Sequence, residues 1–156
     1  MPRKGPAPKR EILSDPIFRN ILVAKLINNL MEGGSKSVAE KIVYKSFEII
    51  KEKTKKDPVE IFELAVEKVR PLVEVKPRRV GGATYQVPIE VEKERSQKVA
   101  LKWIVKAARD KKGKPMTIKL SEEIIDASSE AGSAYKKKMD VHKMAEANRS
   151  YSHLRW

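Results

Sequence analysis

The chain contains no cysteine and only two histidines, His142 and His153, among its 156 residues. Without cysteine there is neither a disulfide framework nor a thiolate zinc site, and the composition favours a reducing compartment. Neither histidine has a His- or Cys-rich context, so no metal site is expected. No apolar run approaches the ~20 residues needed to span a bilayer, so no membrane partner is expected. The basic start, residues 1–10, is not followed by a secretory hydrophobic segment with a small-residue cleavage site. No repeat of fixed period is visible, which argues against a solenoid. Catalytic groupings are missing too. Glu122 and Glu123 are adjacent on a helix and do not face each other, and no Ser/His/Asp arrangement can be nominated. Residues 34–37, GSKS, partly resemble a phosphate loop, but the full GxxxxGK[ST] spacing is absent and the segment joins two helices. Nothing requires catalysis or a cofactor.

What the chain has is positive charge on a core-forming composition. Hydrophobic residues make up 40%, enough for one folded domain, and charged residues 35%, with a net charge of +13. Such an imbalance points to a polyanionic partner bound through counterion release. The excess is uneven. Residues 1–36 carry a net +4, residues 37–70 only +1, residues 71–114 +7, residues 115–131 −3 and residues 132–156 +4. The arm, the middle and the C-terminal segment are therefore the candidate polyanion-binding surface. The balanced second segment, with Glu and Lys interleaved, suits helix faces turned to water.

Periodicity predicts a mainly α single domain: a basic arm over residues 1–13, a helical domain over 14–150 and a tail over 151–156. Ser14, Asp15 and Pro16 suggest the start of a first helix, which runs over about residues 19–31 with Leu22, Leu26 and Leu30 at helical spacing. Gly33 and Gly34 end it, and Ser35 or Ser37 can cap the next. A second helix carries Val38, Ala39, Ile42, Val43, Ser46, Ile49 and Ile50. Asp57, Pro58 and Glu60 mark the start of a third, which stops before Pro71. The pattern then alternates, with Val73 and Val75 before Gly81-Gly82 and Tyr85, Val87, Ile89 and Val91 after it, as in a β-hairpin over about residues 73–91. For the valines of both runs to share one apolar face, the turn needs three or five residues or a bulge. Lys76 and Arg78 would then share the polar face with Thr84 and Gln86. A fourth helix follows over about 92–109, with Val99, Ala100, Trp103, Ile104 and Ala107 facing inward. A fifth covers about 116–129, and a sixth runs from after Gly132 to about Asn148.

Several residues suit phosphate or base contact. The guanidinium groups of Arg78 and Arg79 flank a Gly-Gly tip that lets backbone approach a ligand. Lys136, Lys137 and Lys138 sit in the first turns of the sixth helix, against the dipole preference, which suggests a phosphate partner. Lys36 lies at a helix N-terminus, which favours anions. Tyr151 and Trp156 in the basic tail could stack on bases.

Residues 73–91, VEVKPRRVGGATYQVPIEV, closely resemble the hairpin signature of the small-subunit ribosomal protein seven family. Residues 136–156, KKKMDVHKMAEANRSYSHLRW, look like its bacterial C-terminus. Residues 29–37, NLMEGGSKS, and 101–109, LKWIVKAAR, fit as well. The resemblance implies six helices with a hairpin between the third and fourth, and a place in the cytoplasmic ribosome of bacterial type. It implies binding to the 3′ major domain of small-subunit rRNA, nucleation of head assembly, and an exit-site position close to transfer RNA and to the messenger exit. It also implies contact with platform ribosomal protein eleven. Carried over, the rRNA contacts are Arg3, Lys9 and Arg10 in the arm, Phe18 and Lys36, Arg78 and Arg79 in the hairpin, and Arg95, Lys114 and Met116; the exit-site residues are Gly81, Gly82, Asn148, Arg149 and Trp156. Lys4, Lys76 and Lys136 to Lys138 join the expected rRNA contacts through their charge and placement. This chain departs from the family in having Ser35 where a lysine is usual, Gly33 where an acid is common, and Pro77 before Arg78, which removes an N–H. It also stops at Trp156, short of the extension some relatives carry. The competing readings are a basic non-ribosomal nucleic-acid-binding or DNA-compacting protein, for which no reading helix or dimer signature appears, and an enzyme on a basic scaffold.

Overall fold

The computed structural model describes Gly5 and residues 11–154. Arg3, Lys4, Lys9, Arg10 and Trp156 lie outside the described residues. The elements follow in the order α1 (Ile21–Leu30), α2 (Lys36–Thr54), α3 (Pro58–Val69), β1 (Val73–Val80), β2 (Ala83–Glu90), α4 (Lys93–Asp110), α5 (Met116–Ser128) and α6 (Gly132–Ala147), and end in a 3-10 helix (Arg149–Leu154). This is the mainly helical domain that periodicity predicted, with its hairpin between α3 and α4. Helix α5 packs against α2, α3, α4 and α6. Leu120 and Ile124 of α5 are wholly buried among Phe47 of α2, Phe62 of α3 and Leu101 and Ile104 of α4. Those apolar stripes recur every three or four residues, so each helix buries one face and the faces meet.

The first helix begins later than its sequence suggests. Asp15 does not cap it; its carboxylate closes a turn by accepting from the N–H groups of Ile17 (3.0 Å) and Phe18 (2.9 Å). Arg19 then takes φ +50°, off the helical path. The N-cap is Asn20, whose side chain accepts from the Leu22 N–H at 2.7 Å. Asp15 is only 3% exposed, and the Tyr44 hydroxyl donates to its other oxygen at 2.7 Å. Burial and this carboxylate push the Tyr44 pKa up to about 12. Asp15→Ala would leave three donors without an acceptor. It is expected to cost about 2–3 kcal/mol in urea denaturation.

The hairpin turn also differs from expectation. Val80 pairs with Ala83, so the turn is two residues, Gly81 and Gly82, at φ +56° and +89°. Positive φ at both positions is the type I′ geometry, whose twist matches the strands. The register therefore places Lys76 opposite Val87 and Arg78 opposite Tyr85. Cross-strand partners share a face, so Lys76 and Arg78 lie with Val87 and Tyr85, and Arg79 lies with Thr84 and Gln86. The single apolar face does not form. Instead the ribbon is held by packing on α6 and on the 3-10 helix.

Helix α4 is rotated from its anticipated stripe: Leu101, Val105 and Ala108 join Ala100 and Ile104 inside, while Val99 and Trp103 sit at the edge. Helix α6 starts at Gly132, so Lys136 to Lys138 fall in its second turn, where the dipole is weaker.

Candidate nucleic-acid interface

The cationic residues fall into separate surfaces that helix packing brings to light. Arg95, Lys98 and Lys102 recur at i, i+3 and i+7 on α4, one helix face. Together with Lys25, Asn28 and Asn29 of α1 they line an open groove of about 400 Å³. Lys25, Lys98 and Lys102 were not singled out in the sequence, although the spacing along α4 was a usable signal. What the sequence did not contain was the orientation of α1 against it.

At the far end of α4 the two expected connections meet. Leu30, Ser35, Val38, Arg109 and Met116 line a second cavity of about 280 Å³. The Arg109 guanidinium donates to the Leu30 carbonyl at 3.0 Å and pairs with Glu32 at 2.9 Å, joining the two helix ends. Lys36 stands at the first residue of α2, 3.8 Å from Glu40, and Lys114 pairs with Glu122 at 2.6 Å. The Lys114 hydrogen bond, set against partial desolvation, holds the Glu122 carboxyl below its ordinary range. Met116 is half-buried against the core. Phe18 stands apart from this end, its ring 5.1 Å from Phe47 and 5.9 Å from Tyr44.

At the base of the hairpin, Glu74 accepts from Arg95 with both oxygens, at 2.9 and 3.1 Å, and lies 3.4 Å from Lys76. Burial alone would raise the Glu74 pKa; the two cations outweigh it and hold the carboxyl below the usual range. Arg95 is raised in turn. Both cations remain about half exposed, so each offers its open side to a phosphate while keeping the largely buried Glu74 paired. Arg79 is exposed and makes no ion pair among the described residues, whereas Arg78 is half-buried and engaged. Gly81 and Gly82 are exposed at the tip with open space around them.

Lys136, Lys137 and Lys138 separate in the fold. The first two are exposed, and Lys137 borders a cavity of about 260 Å³ with Trp103 and Lys106. The Lys138 ammonium donates to the Lys68 carbonyl at 2.6 Å, at the C-terminal end of α3, and lies over the Tyr135 ring. Partial burial lowers its pKa. Asn148 caps α6, its side chain donating to the Met144 carbonyl, and Arg149 is exposed just beyond. Tyr151 does not stand free: its ring packs on Tyr85 at 5.1 Å, which ties the C-terminal turn to β2 near the tip.

His142 locks the ribbon's other end. Its Nε2 accepts from the Leu72 N–H at 3.1 Å, and the Leu72 carbonyl accepts from Val91 at 2.9 Å. The accepting nitrogen must be unprotonated. Burial, and then Lys138, hold the His142 pKa below 6.5. The folded protein binds this proton more weakly than the unfolded chain. Its contribution is therefore complete above about 6.5 and is lost as pH falls through the lowered value. Leu72 amide protection is expected to drop as the pH falls below about 6.5, a change that His142→Gln, which accepts without titrating, should abolish. The carboxylates at Glu74 and Glu122 titrate below this window. Equal acid loss in both proteins would disprove the lock.

Among the described residues no group of three or more His, Asp or Glu comes together in a metal-holding arrangement, and no helix is long and apolar enough to cross a membrane. A family model described as Ribosomal protein S7p/S5e matches residues 2–149. The chain is 61% identical over 154 residues to small ribosomal subunit protein uS7 of Thermotoga maritima, covering 99% of each. It is 59% identical to the protein of that name from Acetivibrio thermocellus and 57% to that from Carboxydothermus hydrogenoformans, each over 156 residues and the whole of both chains.

Proposed function

The chain belongs to the ribosomal protein S7p/S5e family, a family of small-subunit structural proteins rather than enzymes, and from that premise we propose how its surfaces are used. The body binds the 3′ major domain of small-subunit rRNA and nucleates folding of the head. The hairpin tip with Gly81 and Gly82, together with Asn148, Arg149 and Trp156, faces exit-site transfer RNA close to where the messenger leaves. The same end approaches platform ribosomal protein eleven. The bacterial relatives fit a bacterial-type ribosome.

One observation carries the reading. The cations lie on several faces of one folded helical body: the α1–α4 groove, the joined connections, the ribbon and the exposed part of α6. Such a distribution suits a folded RNA whose helices come from several directions, since shape and phosphate positions, not base edges, are then recognised. A reading helix inserted in a duplex groove would concentrate its cations on one side.

The test is direct competition between a head-domain RNA fragment and random duplex DNA of equal length. The fragment should win by a wide margin; equal affinity would favour a DNA-compacting protein. Replacing both Arg78 and Arg79 with alanine should weaken RNA binding by about tenfold and reduce the salt slope by about two. The helical signal should be unchanged. Undiminished affinity would take the ribbon off the RNA surface.

A further inference from the structure

One face of this basic molecule is acidic. The outer side of α3 carries Glu60, Glu63 and Glu67 at i, i+3 and i+7, beside Leu64, which is 47% exposed. With Leu22 and Val66 these residues line an open groove of about 500 Å³ between α1 and α3. Its one cation, Arg70, is already spent: Nη1 pairs with Glu67 at 2.6 Å and Nε donates to Ser96 at 3.1 Å. Glu63 accepts from Asn20 Nδ2 at 2.7 Å, and Glu60 pairs with no cation among the described residues. The segment next to Asn20 exposes two further large apolar residues, Ile17 at 62% and Ile21 at 51%.

Three carboxylates against a single arginine repel RNA phosphates, so this face is unsuited to an RNA contact. Beside the carboxylates Leu64 is 47% exposed, so the face offers an apolar seat as well as negative charge. We propose that the α1–α3 groove is a protein-docking site for an extended Lys/Arg-rich segment of a neighbouring small-subunit protein. An apolar side chain of that segment sits on Leu64 and the half-buried Leu22, and its cations reach the three glutamates. Seven helical residues rise about 10 Å, which about three residues of extended chain span. One short basic segment therefore reaches all three carboxylates.

The absence of cysteine makes the test specific. Leu64→Cys and, as a separate variant, Val38→Cys are coupled to a photoreactive maleimide and reconstituted into small subunits. Val38, 54% exposed and two residues from Lys36, reports on the RNA side. Leu64→Cys should cross-link to a Lys/Arg-rich peptide of another protein. Adding Glu60→Gln, Glu63→Gln and Glu67→Gln should cut the yield roughly tenfold, as three exposed ion pairs would jointly give. Cross-linking to RNA, no cross-link above that of the free labelled chain, or a yield indifferent to the three glutamines would each overturn the docking site. The proposal rests on the ribosomal reading, and the two fail differently. A Val38→Cys probe that never reaches RNA counts against the RNA surface, while the Leu64→Cys result alone decides the groove.

Discussion

Replacing Glu123 with alanine is expected to destabilise the fold by about 3 kcal/mol, a fall in melting temperature of roughly 6–12 °C for a domain of this size. Glu123 is fully buried on α5. It is the cap that α6 lacks in its own sequence: Oε1 accepts from the Ala134 N–H at 2.8 Å, while Ala131 at the N-cap offers no side-chain acceptor. The other oxygen lies 2.8 Å from Lys111 Nζ, and Asp126 approaches the same ammonium at 3.3 Å. Burial would lower the Lys111 pKa, yet the two carboxylates outweigh it and leave it raised. Removing Glu123 strands a buried N–H and opens a cavity, while the partly exposed lysine turns to Asp126 and water, which keeps the cost below that of a wholly buried pair.

Gly132 belongs to the same device. It sits at φ +85°, and a Cβ there would meet Glu123 Oε1 at 2.9 Å and Asp126 Cβ at 3.0 Å. Gly132→Ala therefore adds backbone strain to a collision, about 2–3 kcal/mol in all. The two substitutions should not add. With Glu123 truncated, half of the collision is gone, and the double variant should be less destabilised than the sum of the singles by about 1 kcal/mol. Strict additivity in chemical denaturation would show that glycine and glutamate act independently.

The largest effect concerns binding. If the proposed surface neutralises roughly six to ten phosphates, affinity for a head-domain RNA fragment falls a thousand- to a hundred-thousand-fold between about 50 and 200 mM salt. Many of the cations concerned already have carboxylate partners, among them Lys36, Lys76, Arg95 and Lys114. Their ammonium or guanidinium groups are still about half exposed or more, so each can meet a phosphate from its open side. A log–log slope of magnitude below about two, measured by filter retention or fluorescence anisotropy, would mean that internal pairs keep these cations and that the surface is far smaller than proposed.

Much was legible from local pattern. The helices, the hairpin and its glycine tip follow from spacings of three to four residues, alternation and turn chemistry, all of which act within a few residues along the chain. Net charge and its segmental excess pointed to a polyanion on the same basis. The errors came where one residue decides among local options. Ser14, Asp15 and Pro16 read as a helix start, but Tyr44 reaches Asp15 from 29 positions away and the turn closes there instead. The alternation of valines suggests one apolar face, but two glycines at positive φ make a two-residue turn, and one step of register exchanges every face.

Which charges remain free could not be read from the chain alone. Lys136, Lys137 and Lys138 are alike in sequence, and only the packing of α6 against α3 commits Lys138 to the Lys68 carbonyl while its neighbours stay exposed. Glu122 and Glu123 are neighbours too; one pairs with Lys114 at the surface and the other is buried as the cap of α6. Periodicity tells which face of a helix is apolar, so composition and spacing were sufficient for the class of fold and the sign of the partner. It does not tell which other helix that face meets or at what angle, and burial and charge pairing depend on both. For that reason the α1–α4 groove, the Tyr85–Tyr151 contact and the acidic side of α3 became visible only in three dimensions.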